Sequence, residues 1–154
     1  MPYESIEREI RIEASPEVVY QVISTPEHLR EWWPDEADLA PTPGAVGSVT
    51  FGDPADPAAH VVPLTVIEAD PPRRFAFRWV HDDGVPAAAD NSFLVTFDLI
   101  PADGGTLLRF SETGFQDQGW KPDLVEATHR DHSNGWDHFL PRLAAYAPRL
   151  VSRP

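Results

Sequence analysis

SFLVTFDLIPADGGTLLRFSETGF, residues Ser92 to Phe115, holds two runs of alternating apolar residues separated by Ala102-Asp103-Gly104-Gly105. Side chains alternate across a strand with a period of two. Phe93, Val95, Phe97 and Leu99 therefore share one face, and Leu108 and Phe110 share a face with Glu112. Four turn-forming residues are too few for a crossover, so the two strands pair antiparallel. Glu112 is a carboxylate on an otherwise apolar face.

Similar runs precede this hairpin. Val61 to Ala69 and Arg74 to Val80 are β-rich, with turn-formers at Asp70-Pro71-Pro72 and Asp82-Asp83-Gly84, and Phe75, Phe77 and Trp79 fall on one side. At the start, Ile6, Arg8, Ile10 and Ile12 alternate with Glu7, Glu9, Arg11 and Glu13 in an opening strand whose pattern Arg8 interrupts. Ser15-Pro16-Glu17 is a helix start: a capping hydroxyl, a proline at the first helical position and an acid facing the macrodipole. Val18, Val19, Val22 and Ile23 form the buried side of that helix. Thr25-Pro26-Glu27 repeats the signal, predicting a second short helix carrying Leu29, Trp32 and Trp33. From Pro34 to Pro63 the chain is rich in Pro, Gly and Asp, with one short strand over Ser48 to Phe51.

After Pro122 the period becomes helical. At about 100° per residue, Leu124, Val125, Thr128, His132, Trp136, Phe139, Leu143 and Tyr146 gather on one side, with Asp131, Asn134 and Asp137 opposite. Gly135 is a poor helix former, and Pro141 lacks an N–H, so a bend is expected at Pro141 with the helix running on to about Ala147.

The length of 154 residues predicts one domain spanning 1–154. The 38 Leu, Ile, Val and Phe residues, about 25% of the chain, suffice for a core. Asp and Glu number 25 against 12 Lys and Arg, for a formal charge of −13. Such a chain offers no basic stripe for nucleic acid and no attraction to an anionic membrane. Without cysteine, disulfides, thiolate nucleophiles and cysteine-bearing zinc sites are excluded. The first residues lack the basic and apolar regions of a signal peptide, and no apolar run is long enough to span a membrane, so a cytoplasmic location is expected. Six acids lie between Glu31 and Pro57 without a Lys or Arg; their spacing is not that of a calcium loop, and they are expected to be solvated.

The order of these pieces resembles the SRPBCC, or START-like, superfamily, and within it the group similar to the C-terminal domain of the activator of Hsp90 ATPase. The resemblance rests on Ser15-Pro16-Glu17-Val18-Val19-Tyr20, on Thr25-Pro26-Glu27-His28-Leu29-Arg30-Glu31-Trp32-Trp33 and on Pro43-Gly44. It continues through Asp70-Pro71-Pro72-Arg73-Arg74-Phe75-Ala76-Phe77-Arg78-Trp79, through Gly105 to Phe110 running into Gly114-Phe115, and through His132-Ser133-Asn134-Gly135-Trp136. It covers nearly the whole chain. It implies an α+β helix-grip fold, in which a curved antiparallel sheet of about six strands wraps a long C-terminal helix and two short helices follow the first strand. A cavity lies between sheet and helix in that fold, where relatives bind lipids, hormones, polyketides or other apolar molecules. Other relatives are cyclases, dehydratases or co-chaperones, so the fold does not by itself name the function. The group's namesake has a further N-terminal domain that makes much of the Hsp90 contact, for which 154 residues leave no room, and Hsp90 activation is not expected.

Candidate site residues follow from the two periodicities. His132 on the helix and Glu112 on the strand would meet if both point inward, giving a polar anchor for a ligand, an acid–base pair, or a structural hydrogen bond. Trp33, Phe51, Phe77, Trp79, Phe97, Phe110, Trp136 and Phe139 are the remaining candidate cavity residues; any one alone is more often core, whereas as a set their bulk and rigidity favour a cavity, although a collapsed core would satisfy the same sequence. Glu126, His129 and His132 are spaced three apart, but a di-iron site needs a matching motif on a second long helix, so no metal is expected. No Gly-x-Ser-x-Gly elbow or phosphate-binding glycine loop occurs, so neither a nucleophilic catalytic residue nor a nucleotide cofactor is implied. Three functions remain: binding of an apolar or aromatic small molecule, a co-chaperone or stress-response interaction module, and a polyketide cyclase or dehydratase. Binding without catalysis is preferred, and a homodimer is left open. A cavity below about 200 Å³ would remove the first reading.

Overall fold

The computed structural model describes residues 5–40, 42–53, 55–80, 92–115 and 118–151. The elements are β1 (Ser5–Ile12), α1 (Pro16–Ser24), α2 (Pro26–Trp32), β2 (Glu36–Asp38), β3 (Val46–Phe51), β4 (His60–Asp70), β5 (Arg74–Val80), β6 (Ser92–Ala102), β7 (Gly105–Thr113) and α3 (Pro122–Val151). The strands form one antiparallel sheet in the order β1-β7-β6-β5-β4-β3-β2. Consecutive strands are neighbours throughout, except that β1 closes onto β7. This α+β helix-grip arrangement is the fold expected, with seven strands rather than about six. The additional strand is β2, whose three residues Glu36-Ala37-Asp38 are too short and too acidic to show an alternating pattern. The turn residues Asp82-Asp83-Gly84 lie outside the described residues.

The helix starts follow the local chemistry. The Ser15 hydroxyl accepts from the Val18 N–H at 3.4 Å, and Pro16 opens α1. Thr25 is shared between helices: its N–H donates to the Gln21 carbonyl at 3.0 Å, and its own carbonyl accepts from Leu29 at 2.9 Å. The Thr25 side chain makes no capping bond, so α2 begins on backbone and Pro26 alone. Trp33 terminates α2 with its N–H on the Leu29 carbonyl, leaving Trp32 in the helix and Trp33 just past its end.

The inward faces of β5, β6 and β7 are those read from the alternation. Phe75 pairs with Phe97, Phe97 with Phe110, Leu99 with Leu108 and Val95 with Glu112, all buried. Register slips between Val66 and Glu68 in β4, a bulge that bends a strand and adds curvature. Arg8, the break in the β1 pattern, reaches α3 instead of the core: its Nε and a terminal nitrogen donate to the two Asp137 oxygens at 2.7 and 3.2 Å. The hydrogen bond from Arg8, with a smaller contribution from its charge, holds the Asp137 carboxyl below its usual range against the opposing effect of burial.

Helix α3 runs unbroken past Pro141 and Pro148 to Val151, four residues beyond the expected end. Pro141 is exposed, and so is Asp137, whose carbonyl loses its helical partner there, so water can satisfy it.

Gly114 ends β7 at φ +112°, and a Cβ there would lie 2.7 Å from the Ser92 carbonyl oxygen. Gly114→Ala should lower stability by about 1–3 kcal/mol, seen as a reduced midpoint in urea denaturation with an unchanged slope.

Candidate functional site

Three elements converge on one carboxylate. β7 carries Glu112 on its inward face between Ile6 of β1 and Val95 of β6. α3 presents His132 and Trp136, four residues apart and hence on one side of the helix. β5 brings Trp79 across from Phe93. Glu112 is fully buried, and both its oxygens are occupied. Oε1 accepts from Trp136 Nε1 at 2.9 Å and from His132 Nδ1 at 2.9 Å, and Oε2 accepts from Trp79 Nε1 at 2.7 Å.

Indole nitrogens donate only, so two of the three bonds define Glu112 as an acceptor, and the tautomer of His132 follows from its partner: Nδ1 carries a proton. A buried carboxylate needs both donors and a compensating charge. The imidazolium is the group that can supply that charge. Burial acts against the charged ring, but the hydrogen bond and charge of Glu112, with a further contribution from Asp131, outweigh it, and the His132 pKa lies above the ordinary 6.5. Rings of Phe93, Trp79 and Phe115 surround the imidazole at centroid distances of 4.7, 5.5 and 5.5 Å. Its Nε2 has no hydrogen-bond partner among the described residues.

Beside this cluster lies a cavity of about 510 Å³ between sheet and helix. Phe51 of β3, Val62 of β4, Trp79 of β5 and Phe93 of β6 form the sheet side, and Trp33 enters from the end of α2. Ala127, Thr128, Asp131, His132, Gly135, Trp136 and Phe139 form the α3 side. Trp33 is the hub of the wall, with ring centroids 5.2 Å from both Trp79 and Trp136 and 5.8 Å from Phe51.

Of the ten residues named from sequence, Trp33, Phe51, Trp79, His132, Trp136 and Phe139 line the cavity. Phe77, Phe97, Phe110 and Glu112 are buried behind it. Phe77 backs Trp33 at 5.6 Å, Phe110 backs Trp136 at 4.6 Å, and Phe97 meets Phe110 edge-on at 5.4 Å. Alternation identifies an inward face but not which inward residues border empty space. Asp131 borders the cavity, although the helical period put it opposite the apolar side. The reason is that the cavity is bordered by a side of α3 offset from its core side: Val125, Leu140, Leu143 and Ala147 pack in the core, Trp136 belongs to both sides, and Thr128, His132, Gly135, Phe139 and the exposed Asp131 border the cavity. The polarity of Thr128 and Asp131 and the missing side chain of Gly135 were the available signals.

Glu126, His129 and His132 do not gather. His129 Nε2 is 2.8 Å from the Ser5 carbonyl oxygen, and Glu126 pairs with Arg130. Among the described residues no three His, Asp or Glu side chains form a metal cluster. No helix among them is long and apolar enough to cross a membrane.

The family model described as activator of Hsp90 ATPase homolog 1-like protein matches residues 13–147. The chain belongs to this family. Its place in the SRPBCC, START-like superfamily is the one the sequence resemblance indicated. No curated protein matches its sequence. Among solved structures, it is similar to protein MLL2253 from Mesorhizobium loti, at 23% identity and a TM-score of 0.75 over 94% of this chain and 97% of that one. It is also similar to protein NE0264 from Nitrosomonas europaea, at 14% identity and a TM-score of 0.78 over 99% of each chain. The Aha1 dimer from Colwellia psychrerythraea is similar at 22% identity and a TM-score of 0.65, over 91% of this chain and 92% of that one. At these identities the likeness is one of fold.

NMR titration of this family member should place the His132 pKa above 6.5, and Glu112→Gln should bring it down. Because the folded-state pKa is raised, the stabilisation linked to it is complete below about pH 6.5 and is lost as pH rises through the folded value. Trp79→Phe, which removes the donor to buried Oε2, should cost about 1–3 kcal/mol in thermal or urea unfolding.

Proposed function

We propose that this domain binds a small apolar or aromatic molecule in the cavity between the sheet and α3, with His132 as the polar anchor. The supporting observation is the cavity itself, about 510 Å³ walled largely by aromatic rings beside an imidazole with an unused Nε2. Ligand sites typically occupy about 300–1,000 Å³ and combine apolar walls with a few placed polar groups. The volume exceeds the threshold of about 200 Å³ below which the binding reading would be lost.

The chemistry of the anchor narrows the ligand. With Nδ1–H committed to Glu112, the protonated ring offers Nε2–H as a donor, which suits a carbonyl or hydroxyl oxygen. Thr128 adds a hydroxyl at the same wall, and Asp131 a carboxylate that disfavours an anionic ligand. A neutral, mostly aromatic molecule carrying an oxygen acceptor fits these groups.

The polar groups present support binding directly, whereas cyclase or dehydratase chemistry would rest on His132 alone, because Glu112 lies behind the cavity wall and does not border its contents. An interaction role of the kind named in the family description is the second reading, favoured by the acidic segment between Glu31 and Pro57, which holds no Lys or Arg. Pairing of two copies, as in the Colwellia Aha1 dimer, belongs with that reading.

Isothermal titration with flavone, three rings bearing one carbonyl, should show saturable one-to-one binding with a negative heat-capacity change. Affinity should fall as pH rises through the His132 pKa, because the neutral ring then presents Nε2 as an acceptor. No saturable binding of flavone, together with no co-purified small molecule in native mass spectrometry, would overturn the proposal.

A further inference from the structure

Gly135 stands in the interior of the 30-residue helix α3, where glycine is about 1 kcal/mol less favourable than alanine. Glycine usually occupies such a place because the backbone takes a positive φ or because another chain segment passes too close for a Cβ. Neither applies here. Gly135 is not among the positive-φ glycines, and a Cβ built on it meets nothing within 4 Å. Gly105 shows the contrast: its Cβ would lie 2.7 Å from the Ile12 carbonyl oxygen.

What Gly135 does border is the cavity, one residue before Trp136 and one helical turn from His132 and Phe139. The space that a side chain would take is therefore part of the cavity. We infer that Gly135 is a specificity-determining residue: its missing side chain lets a multi-ring ligand lie against the α3 backbone beside the His132 anchor. This rests on the binding reading above and adds which ligands the cavity admits. Ligands extending to the helix backbone need the glycine, while a smaller molecule held near His132 does not.

Gly135→Ala and Gly135→Leu test this against two probes, flavone and the two-ring naphthol. Gly135→Ala should weaken flavone binding about tenfold, and Gly135→Leu should abolish it, while naphthol binding by Gly135→Ala stays within about twofold of the unmodified protein. Stability should move the other way, with Tm of Gly135→Ala raised by ~3 °C, since the change adds helix propensity without a clash. Asn134→Ala, on the exposed side of the same turn, should also raise Tm and leave both affinities unchanged. If the unmodified protein binds flavone and both Gly135 variants bind it equally well, the inference is overturned and the binding reading survives. A Tm lowered by Gly135→Ala would also overturn it, showing that the glycine answers a backbone demand. If the unmodified protein binds neither probe and carries no co-purified molecule, the binding reading fails and this inference with it.

Discussion

The carboxylate of Glu112, buried with three hydrogen-bond donors from a strand and a helix, is the constraint around which the inner face is arranged. Leaving either of its oxygens without a donor in that environment would be expensive. Its position on β7 is set by the register with β1 and β6, so the donors must come to it. Satisfying it requires α3 to present His132 and Trp136 together, which fixes the rotation of the helix about its own axis. It also requires Trp79 to reach across from β5. One ion-pair and hydrogen-bond cluster thereby sets how helix and sheet meet.

That cluster also accounts for the empty space beside it. An aromatic-rich interior would ordinarily close up to crystal-like density. Here Trp79 and Trp136 are tethered by their indole N–H groups to Glu112, and Trp33 is held at the end of α2 between them. Rings restrained in this way cannot swing into the cavity without giving up a buried hydrogen bond. The polar centre thus maintains an apolar opening.

The exterior follows different rules. Arg8, Arg11, Arg30, Arg73, Arg74, Arg109 and Arg130 each pair with an acid; Arg8 joins β1 to α3, Arg74 and Arg109 join neighbouring strands, and the others pair within a few residues of themselves. Exposed pairs of this kind contribute about 0–1 kcal/mol each, so they tune the surface more than they hold the fold. The excess of acids over bases is consistent with a surface role in solubility.

Much of the architecture was legible because local patterns are strong where one face is buried. Alternation in Arg74–Val80 and Ser92–Ala102, the Ser15-Pro16-Glu17 start and the helical period after Pro122 each report a backbone geometry that neighbouring residues alone define. β2 escaped because three residues carry no period, and the last four residues of α3 because they begin at Pro148, a residue type that usually ends a helix. The cavity was harder to see. Alternation places Phe77, Phe97 and Phe110 inward as firmly as it does Trp79, and nothing local distinguishes a ring that packs against another ring from one that faces a void. The sequence by itself determined every element but β2, the inward faces of β5, β6 and β7, and the pairing of Glu112 with His132 as a candidate. Only the tertiary structure decided that two indoles complete the carboxylate's bonds, that Asp131 and Gly135 border the cavity, and that the space stays open. Those depend on the rotation of α3 over a curved sheet, which is set by contacts between residues far apart in the chain.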